Sequence, residues 1–557
     1  MASRLRLYVN TVRHLRAGQV LEQIRRRLSP PVPGTAHLRL GGLRVRRPAT
    51  AWLAPPGSGH GLRFLNAEYA IAPATPTWHH PTAPKLWRYN LHYFDYLHWP
   101  SLDAATKASL IDSWIREVPV GAEDAWEPYP LSLRIVNWLK YFQALPEPPP
   151  QAWMDSLSQQ VEALDGDIEY HLLANHLLKN GKALVFGGAS CEGEAAERYL
   201  ARGLEIVLNE ADEQLLPDGG HFERSPMYHC IVLEDYLDLV NLLGGNPSLV
   251  SPAVLEKLTA TARRAANYLA GILGGNDDIP LFNDAAYGIT RPAGDVLAYA
   301  DRVLGGVERP PADELRRIFF PDTGVYGYRH GGDSLIIDAG PVGPDYQPGH
   351  AHCDTLSYEL YVGGRPIIVD SGTFDYEPGE FRHYLRSTGA HNTVRIDGEE
   401  QSEIWGAFRV ARRARPRDVS FSEWRDGRLD FSGEHDGYRR LRGRPVHRRT
   451  VGIETIAEST TRWTIRDSIS GSGSHRVESF IHLHPDVVIE ELGGREFMLR
   501  APDNITVRLR VGPVGGIEIA TGYHCPEFGK RLESRMLVIR YVGSVPVELG
   551  YTLDRLT

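Results

Sequence analysis

Three polar clusters in this 557-residue chain carry the residue types that perform chemistry. The richest is Gly349-His350-Ala351-His352-Cys353-Asp354, followed by Asp370 at the end of an Ile-Ile-Val-Asp run and by Ala390-His391-Asn392-Thr393. Residues two apart in an extended strand share a face, so His350 and His352 are expected to project together. Two imidazoles, a carboxylate and a third imidazole from neighbouring strands make either a divalent-metal site with an open position, suited to zinc, or a strand-edge hydrogen-bond network.

The second cluster is the leucine-rich segment 169–180, which reads as a helix carrying Asn175 and His176, with His171 and Asn175 four apart on one face. Polar groups on a buried helix need a partner or a ligand, and an internal hydrogen bond is the plainer alternative. The third is Asp218-Gly-Gly-His-Phe-Glu-Arg-Ser-Pro-Met-Tyr-His229, a polar loop running into a helix. Pro226 costs little at a helix start, which places Tyr228 and His229 in the first turn, where side chains line a cleft or simply pack.

The elements that must position these groups divide into two textures. From 102 to 304 apolar residues recur at helical spacing, in segments 131–145, 153–186, 196–208, 228–243 and 253–273. Gly187-Gly188, Pro217-Asp218-Gly219-Gly220 and Gly244-Gly245-Asn246-Pro247 read as breaks between antiparallel helix pairs. After Pro321 short β-branched runs take over at 334–338, 355–362, 366–370 and 392–396, with Gly363-Gly364 as a hairpin turn. The expectation is a multidomain α+β protein: a basic helical segment at 1–50, a helical domain at 51–315 and a large β-sandwich at 316–557 carrying the His/Asp cluster. The boundary falls near 310–325, where Pro310-Pro311 and Pro321-Asp322 interrupt both patterns.

Composition narrows the class. With 42% apolar and 24% charged residues the chain reads as globular, and no run approaches the roughly 18 apolar residues of a membrane span. Residues 1–50 hold eleven arginines against the single acid Glu22, although the net charge is −9. That segment reads as an amphipathic helix packed on the main domain, with contact to an anionic surface as the other reading. It lacks the pattern of a secretory signal, and Cys191, Cys230, Cys353 and Cys525 show no metal spacing, which together point to reduced thiols and by default to the cytoplasm. Arginine-rich stretches at 409–417 and 439–449 suit a polyanion or a solvated strand face. No nucleic-acid motif accompanies them.

In order along the chain, Trp126-Glu127-Pro128-Tyr129-Pro130 with Arg134 and Asn137-Trp138, Asn175-His176, Ser225-Pro226-Met227-Tyr228, Phe282-Asn283-Asp284, Gly349-His350-Ala351-His352, Val369-Asp370-Ser371-Gly372 and His391-Asn392-Thr393 resemble the heparinase II/III family of polysaccharide lyases. That resemblance implies an (α/α) toroid followed by an antiparallel β-sandwich with the cleft between them. It also implies β-elimination on an acidic, uronate-containing polysaccharide, in a periplasmic or secreted setting as readily as in the cytoplasm. It makes Asn175 the group that binds the substrate carboxylate, Tyr228 the acid and a candidate base, and His350 the second catalytic group. His352, Asp370 and His391 match the metal positions, for zinc first and manganese or calcium otherwise. His176, Glu223, Arg224, His229, Trp126, Arg134, Tyr384 and Arg386 are the expected substrate-binding residues. Two rival readings stay open: a non-catalytic polysaccharide-binding or assembly protein, and a glycoside hydrolase using Glu223 and Asp284, which needs two carboxylates facing each other across a cleft.

Overall fold

The computed structural model describes residues 2–28, 40–44, 46–53, 61–67, 70–72, 76–309, 314–422, 428–457 and 460–556. Twelve α-helices are found among them: α1 (Ala2–Val12), α2 (Ala17–Leu28), α3 (Lys85–Tyr93), α4 (Ala104–Glu117), α5 (Pro128–Gln143), α6 (Gln151–Gly166), α7 (Ala174–Ser190), α8 (Glu194–Gln214), α9 (Pro226–Gly244), α10 (Pro252–Ile272), α11 (Ala293–Leu304) and the short α12 (Glu380–Arg386). Helices α3 to α11 form the toroid, with α7 against α8 and α9 against α10 as neighbouring pairs. Their starts follow local chemistry. Asp103, Ser225 and Ser251 accept a backbone N–H from the first turns of α4, α9 and α10, and Pro226 and Pro252 occupy the position where a missing N–H costs nothing.

Three expectations about helices are corrected. The segment 153–186 is not one helix but α6 and α7, and Gly187-Gly188 does not break the chain but lies inside α7. A Cβ on Gly188 would collide with the backbone of Ala196 and Leu200, so this glycine serves the close approach of α7 to α8 rather than a turn. Helix α7 begins at Ala174, so His171 precedes it and shares no helical face with Asn175.

Apart from the short antiparallel pair Leu62–Arg63 and Ala70–Ile71, the strands begin at Arg316–Phe320, beyond the end of α11; Pro310-Pro311 lie outside the described residues. A five-stranded meander runs Arg316–Phe320, Val325–His330, Asp333–Asp338, Tyr358–Val362 and Arg365–Ile368, all antiparallel. Its last hairpin turns at Gly363 and Gly364, both at positive φ (57° and 79°), the geometry of a two-residue turn that matches the twist of its strands. An eight-stranded and a four-stranded antiparallel sheet, with the short pair Ile404–Trp405 and Arg409–Val410, make up the rest of the strands described in the domain. Strand Arg428–His435 alternates exposed and buried residues, as a sheet with one covered face requires. Its inner side chains join those of the other sheets, with Tyr328, Leu335, Phe431, Val451, Trp463, Val477, Ile481 and Leu537 in one core. All four cysteines are buried free thiols. No helix among the described residues is long and apolar enough to cross a membrane.

Candidate active site

The helical half contributes its polar groups through strained junctions. Leu173 and Ala174 adopt positive φ (64° and 55°) immediately before Asn175, Arg224 (59°) precedes the Ser225 cap of α9, and Asn283 (57°) precedes Asp284. A non-glycine residue in this region costs about 1 to 3 kcal/mol and persists only where surrounding contacts enforce it. Here the contacts are visible: Asn283 donates from Nδ2 to the Arg224 carbonyl (3.2 Å), and Ser225 Oγ donates to the Asp284 carbonyl (2.6 Å).

Asp284, fully buried, is the hub. His350 Nδ1 lies 3.0 Å from its Oδ2 and His352 Nε2 2.8 Å from its Oδ1, while both terminal nitrogens of Arg382 bond the same carboxylate. Burial disfavours its charge, but Arg382 and the two imidazoles outweigh burial and hold its pKa well below the usual carboxylate range. An ionised Asp284 only accepts, so His350 turns a proton on Nδ1 to it and leaves Nε2 on the opposite side of the ring. His350 and His352 sit in a loop, not in the strand expected for them, and converge through their shared acceptor rather than through strand alternation.

The His350 ring stacks on Tyr228, with centroids 3.8 Å apart and planes 26° apart. Tyr228 Oη is 3.2 Å from Tyr376 Oη, and burial pushes the phenol well above its ordinary pKa, so it is held as a proton donor. His350 Nε2 lies 3.5 Å from Glu223 Oε2, too far for a good hydrogen bond. Glu223 Oε1 in turn accepts from Asn175 Nδ2 at 2.9 Å. Asn175 Oδ1 and Glu223 Oε2 are buried and without a partner. The expected catalytic trio of Asn175, Tyr228 and His350 is therefore brought together, with Glu223 linking two of its members. Because His350 stands between Glu223 and Asp284 and touches both, these carboxylates do not face each other across open space as a hydrolase pair.

His176 bonds Glu169 Oε1 (3.0 Å) and packs 4.5 Å from the Tyr129 ring. Burial lowers its affinity for a proton, but the Glu169 charge and hydrogen bond prevail and raise its pKa. Other expected binding residues are committed to the scaffold. Arg134 donates to Gln160 and to the carbonyls of His92 and Ala125, and Trp126 stacks near Trp114. Arg224 donates to the carbonyls of Phe222, Asp322 and Thr323, and His229 bonds the Ala265 carbonyl inside the helical layer. Arg386 holds the carbonyls of Ala351, Gly406 and Arg409, and so pins the histidine loop from behind. Tyr384 stacks with Phe381 and meets Tyr523 edge-on. Sequence reasoning missed Tyr376 and Arg382, which lie in no distinctive local pattern; the Arg382 pairing with Asp284 is a long-range contact that no spacing announces.

For a metal, His391 Nδ1 bonds Asp370 Oδ2 (2.7 Å) and the His352 and His391 rings stand 5.3 Å apart. His352 Nδ1 and His391 Nε2 are buried without a partner, each ring's other nitrogen facing a carboxylate; burial lowers the His352 pKa to about 4, so its Nδ1 carries a lone pair, while Asp370 outweighs burial and raises that of His391. Their chemistry fits a divalent ion. As arranged, among the described residues, no group of three or more His, Cys, Asp or Glu side chains is placed to hold one, since Asp370 is turned to His391.

Comparison with known proteins gives a consistent picture. A model of the Heparinase II/III N-terminus matches residues 107–292, and a model of the Heparinase II/III-like C-terminal region matches residues 313–552. The chain is 24% identical to the heparin-sulfate lyase of Pedobacter heparinus over 325 residues, 51% of this chain and 47% of that protein. It spans about half the length of the curated heparin-sulfate lyases it matches. It is also 25% identical to FtsZ-localized protein C of Caulobacter vibrioides over 470 residues, 78% of this chain and 76% of that protein. A crystal structure of heparinase III superposes with a TM-score of 0.67 at 19% identity, covering 88% of this chain and 80% of that one, which shows the shared toroid-and-sandwich fold.

Proposed function

The chain belongs to the heparinase II/III-like family, and from that premise we propose that it is a polysaccharide lyase cleaving a uronate-containing, glycosaminoglycan-like chain by β-elimination. The observation that carries this reading is the convergence of Asn175, Tyr228 and His350 from the two halves of the molecule, with Tyr228 and His350 in ring contact. Removing the C5 proton of a uronate builds negative charge beside an ionised carboxylate. Asn175 keeps one amide N–H on Glu223 and has a second to offer that carboxylate, which lets it accept the developing charge. His350, with Asp284 fixing its tautomer, takes the C5 proton at Nε2. Tyr228, kept protonated by burial, gives its proton to the leaving glycosidic oxygen. The products are a new reducing end and a C4–C5 unsaturated uronate.

A divalent ion, zinc first with manganese or calcium as alternatives, is proposed at His352 and His391 beside Asp370. When bound it would tie together the segments behind His350 and add positive potential there. Elemental analysis of the purified protein and of a His391→Ala variant tests it: one equivalent lost in the variant supports the site, and a metal-free wild type removes it.

The decisive experiment follows absorbance of the conjugated uronate while the protein is incubated with glycosaminoglycans, alginates and bacterial exopolysaccharides, with Tyr228→Phe alongside. A rise abolished in the variant supports the lyase; no rise on any polymer favours a second reading, a non-catalytic binding or assembly protein. One observation speaks for that second reading: FtsZ-localized protein C aligns over more than three quarters of both chains, a larger share than the heparin-sulfate lyases do.

A further inference from the structure

The N-terminal helices α1 and α2 turn apolar side chains to solvent. Leu5, Val9 and Val12 follow one face of α1, and Leu21, Ile24 and Leu28 follow one face of α2, at 48% to 81% exposure. With Tyr8 they make seven of the sixteen exposed large apolar residues found among the described residues, so the exposure is concentrated rather than scattered. Both helices are nonetheless held to the body. Trp405 Nε1 donates to Thr11 Oγ1 (3.1 Å), Tyr8 packs on Trp405, Arg26 pairs with Asp167, and Arg16 lies 3.8 Å over the Tyr346 ring and pairs with Glu213.

Charge identifies what such a face meets. Residues 2–28 hold seven arginines and one acid, Glu22, in a chain whose net charge is −9. Among the described residues Arg4, Arg13 and Arg27 have no carboxylate partner. At the end of α1, Arg13 and His14 join Arg412, Arg413, Arg415 and Arg440 around a cavity of about 200 Å³ that Asp436 also lines, with Asp345 pairing Arg413 and Arg415 and Glu403 pairing Arg412. A second copy would bring arginines against arginines, and an acidic protein partner would leave the leucines unexplained. An apolar stripe bordered by guanidinium groups matches a bilayer surface, where acyl chains lie beneath phosphates.

We propose that the N-terminal helices α1 and α2 dock the protein on an anionic phospholipid surface. The apolar faces enter the headgroup–acyl boundary, the free arginines lie among the phosphates, and the arginine-lined cavity takes a phosphate headgroup. Docking is independent of turnover at the Tyr228–His350 site.

The test is flotation of the full chain with vesicles of phosphatidylcholine or of an equal mixture of phosphatidylcholine and phosphatidylglycerol. Binding is expected only to the anionic vesicles, weakening as salt is raised. The variant Leu5→Ser, Val9→Ser, Leu21→Ser, Ile24→Ser is expected to abolish it. Arg4→Gln with Arg27→Gln, which leaves the apolar face intact, is expected to weaken it about tenfold or more. Equal binding to both vesicles, binding to neither, or lipid-free self-association that the serine variant dissolves would each overturn the proposal.

Discussion

Tyr228 and His350 lie ring on ring, 3.8 Å between centroids, although one opens helix α9 of the toroid and the other sits in a loop of the strand half. That contact makes the cleft a shared product of both halves, and the expected behaviour of single substitutions follows from it.

Tyr228→Phe removes one hydroxyl whose partner in the structure is Tyr376. Turnover is expected to fall by roughly 10² to 10⁴-fold, the usual worth of a positioned proton donor, with the melting temperature nearly unchanged. Initial rates of unsaturated-uronate formation and a thermal melt measure both.

Asn175→Ala removes the amide that bonds Glu223 and is assigned to the substrate carboxylate. Charge stabilisation at that carboxylate is felt in the transition state, so kcat is expected to drop by about 10² or more while KM rises less. A variant changed only in KM would reassign Asn175 to ground-state binding.

Asp284→Asn leaves Arg382 buried without its counter-charge and replaces one of the two oxygens that accept from His350 and His352 with an N–H donor. Loss of one partner of a buried pair costs about 3 to 5 kcal/mol, which a shifted urea midpoint reports, and turnover is expected to be lost with it.

The pH dependence of stability has a definite sign. Burial, aided by Arg134, depresses His92 to about 3, and burial depresses His229 to about 4, against an ordinary value of 6.5. Between those values the unfolded chain binds more protons, so stability from these two groups is complete above about 6.5 and declines as the pH falls, by up to ~1.4 kcal/mol per pH unit for each imidazole. His176 runs the other way: its pKa is raised, so its contribution is complete below 6.5 and disappears as the pH rises through the raised value. Urea midpoints measured from pH 8 down to pH 4.5 are expected to fall steeply on the acid side, and flat midpoints there would contradict the burial of His92 and His229.

The sequence by itself determined the two textures, the start of α9 at Ser225 and Pro226 and the Gly363-Gly364 hairpin, and it singled out Asn175, Tyr228 and His350, which the fold brings together. Each of these is written locally, in 3.6-residue or two-residue periodicity, in a cap residue, in a turn that needs positive φ, or in short motifs kept in order. Only the tertiary structure decided that Gly187-Gly188 lies inside a helix, because the reason for Gly188 is the backbone of α8. Likewise only the structure shows that His350 and His352 meet through Asp284 and Arg382 rather than along a strand, and that Arg134, Arg224, His229 and Arg386 are spent on backbone carbonyls. A polar residue's role depends on which distant group reaches it once water is excluded, and that is fixed by packing between elements far apart in the chain.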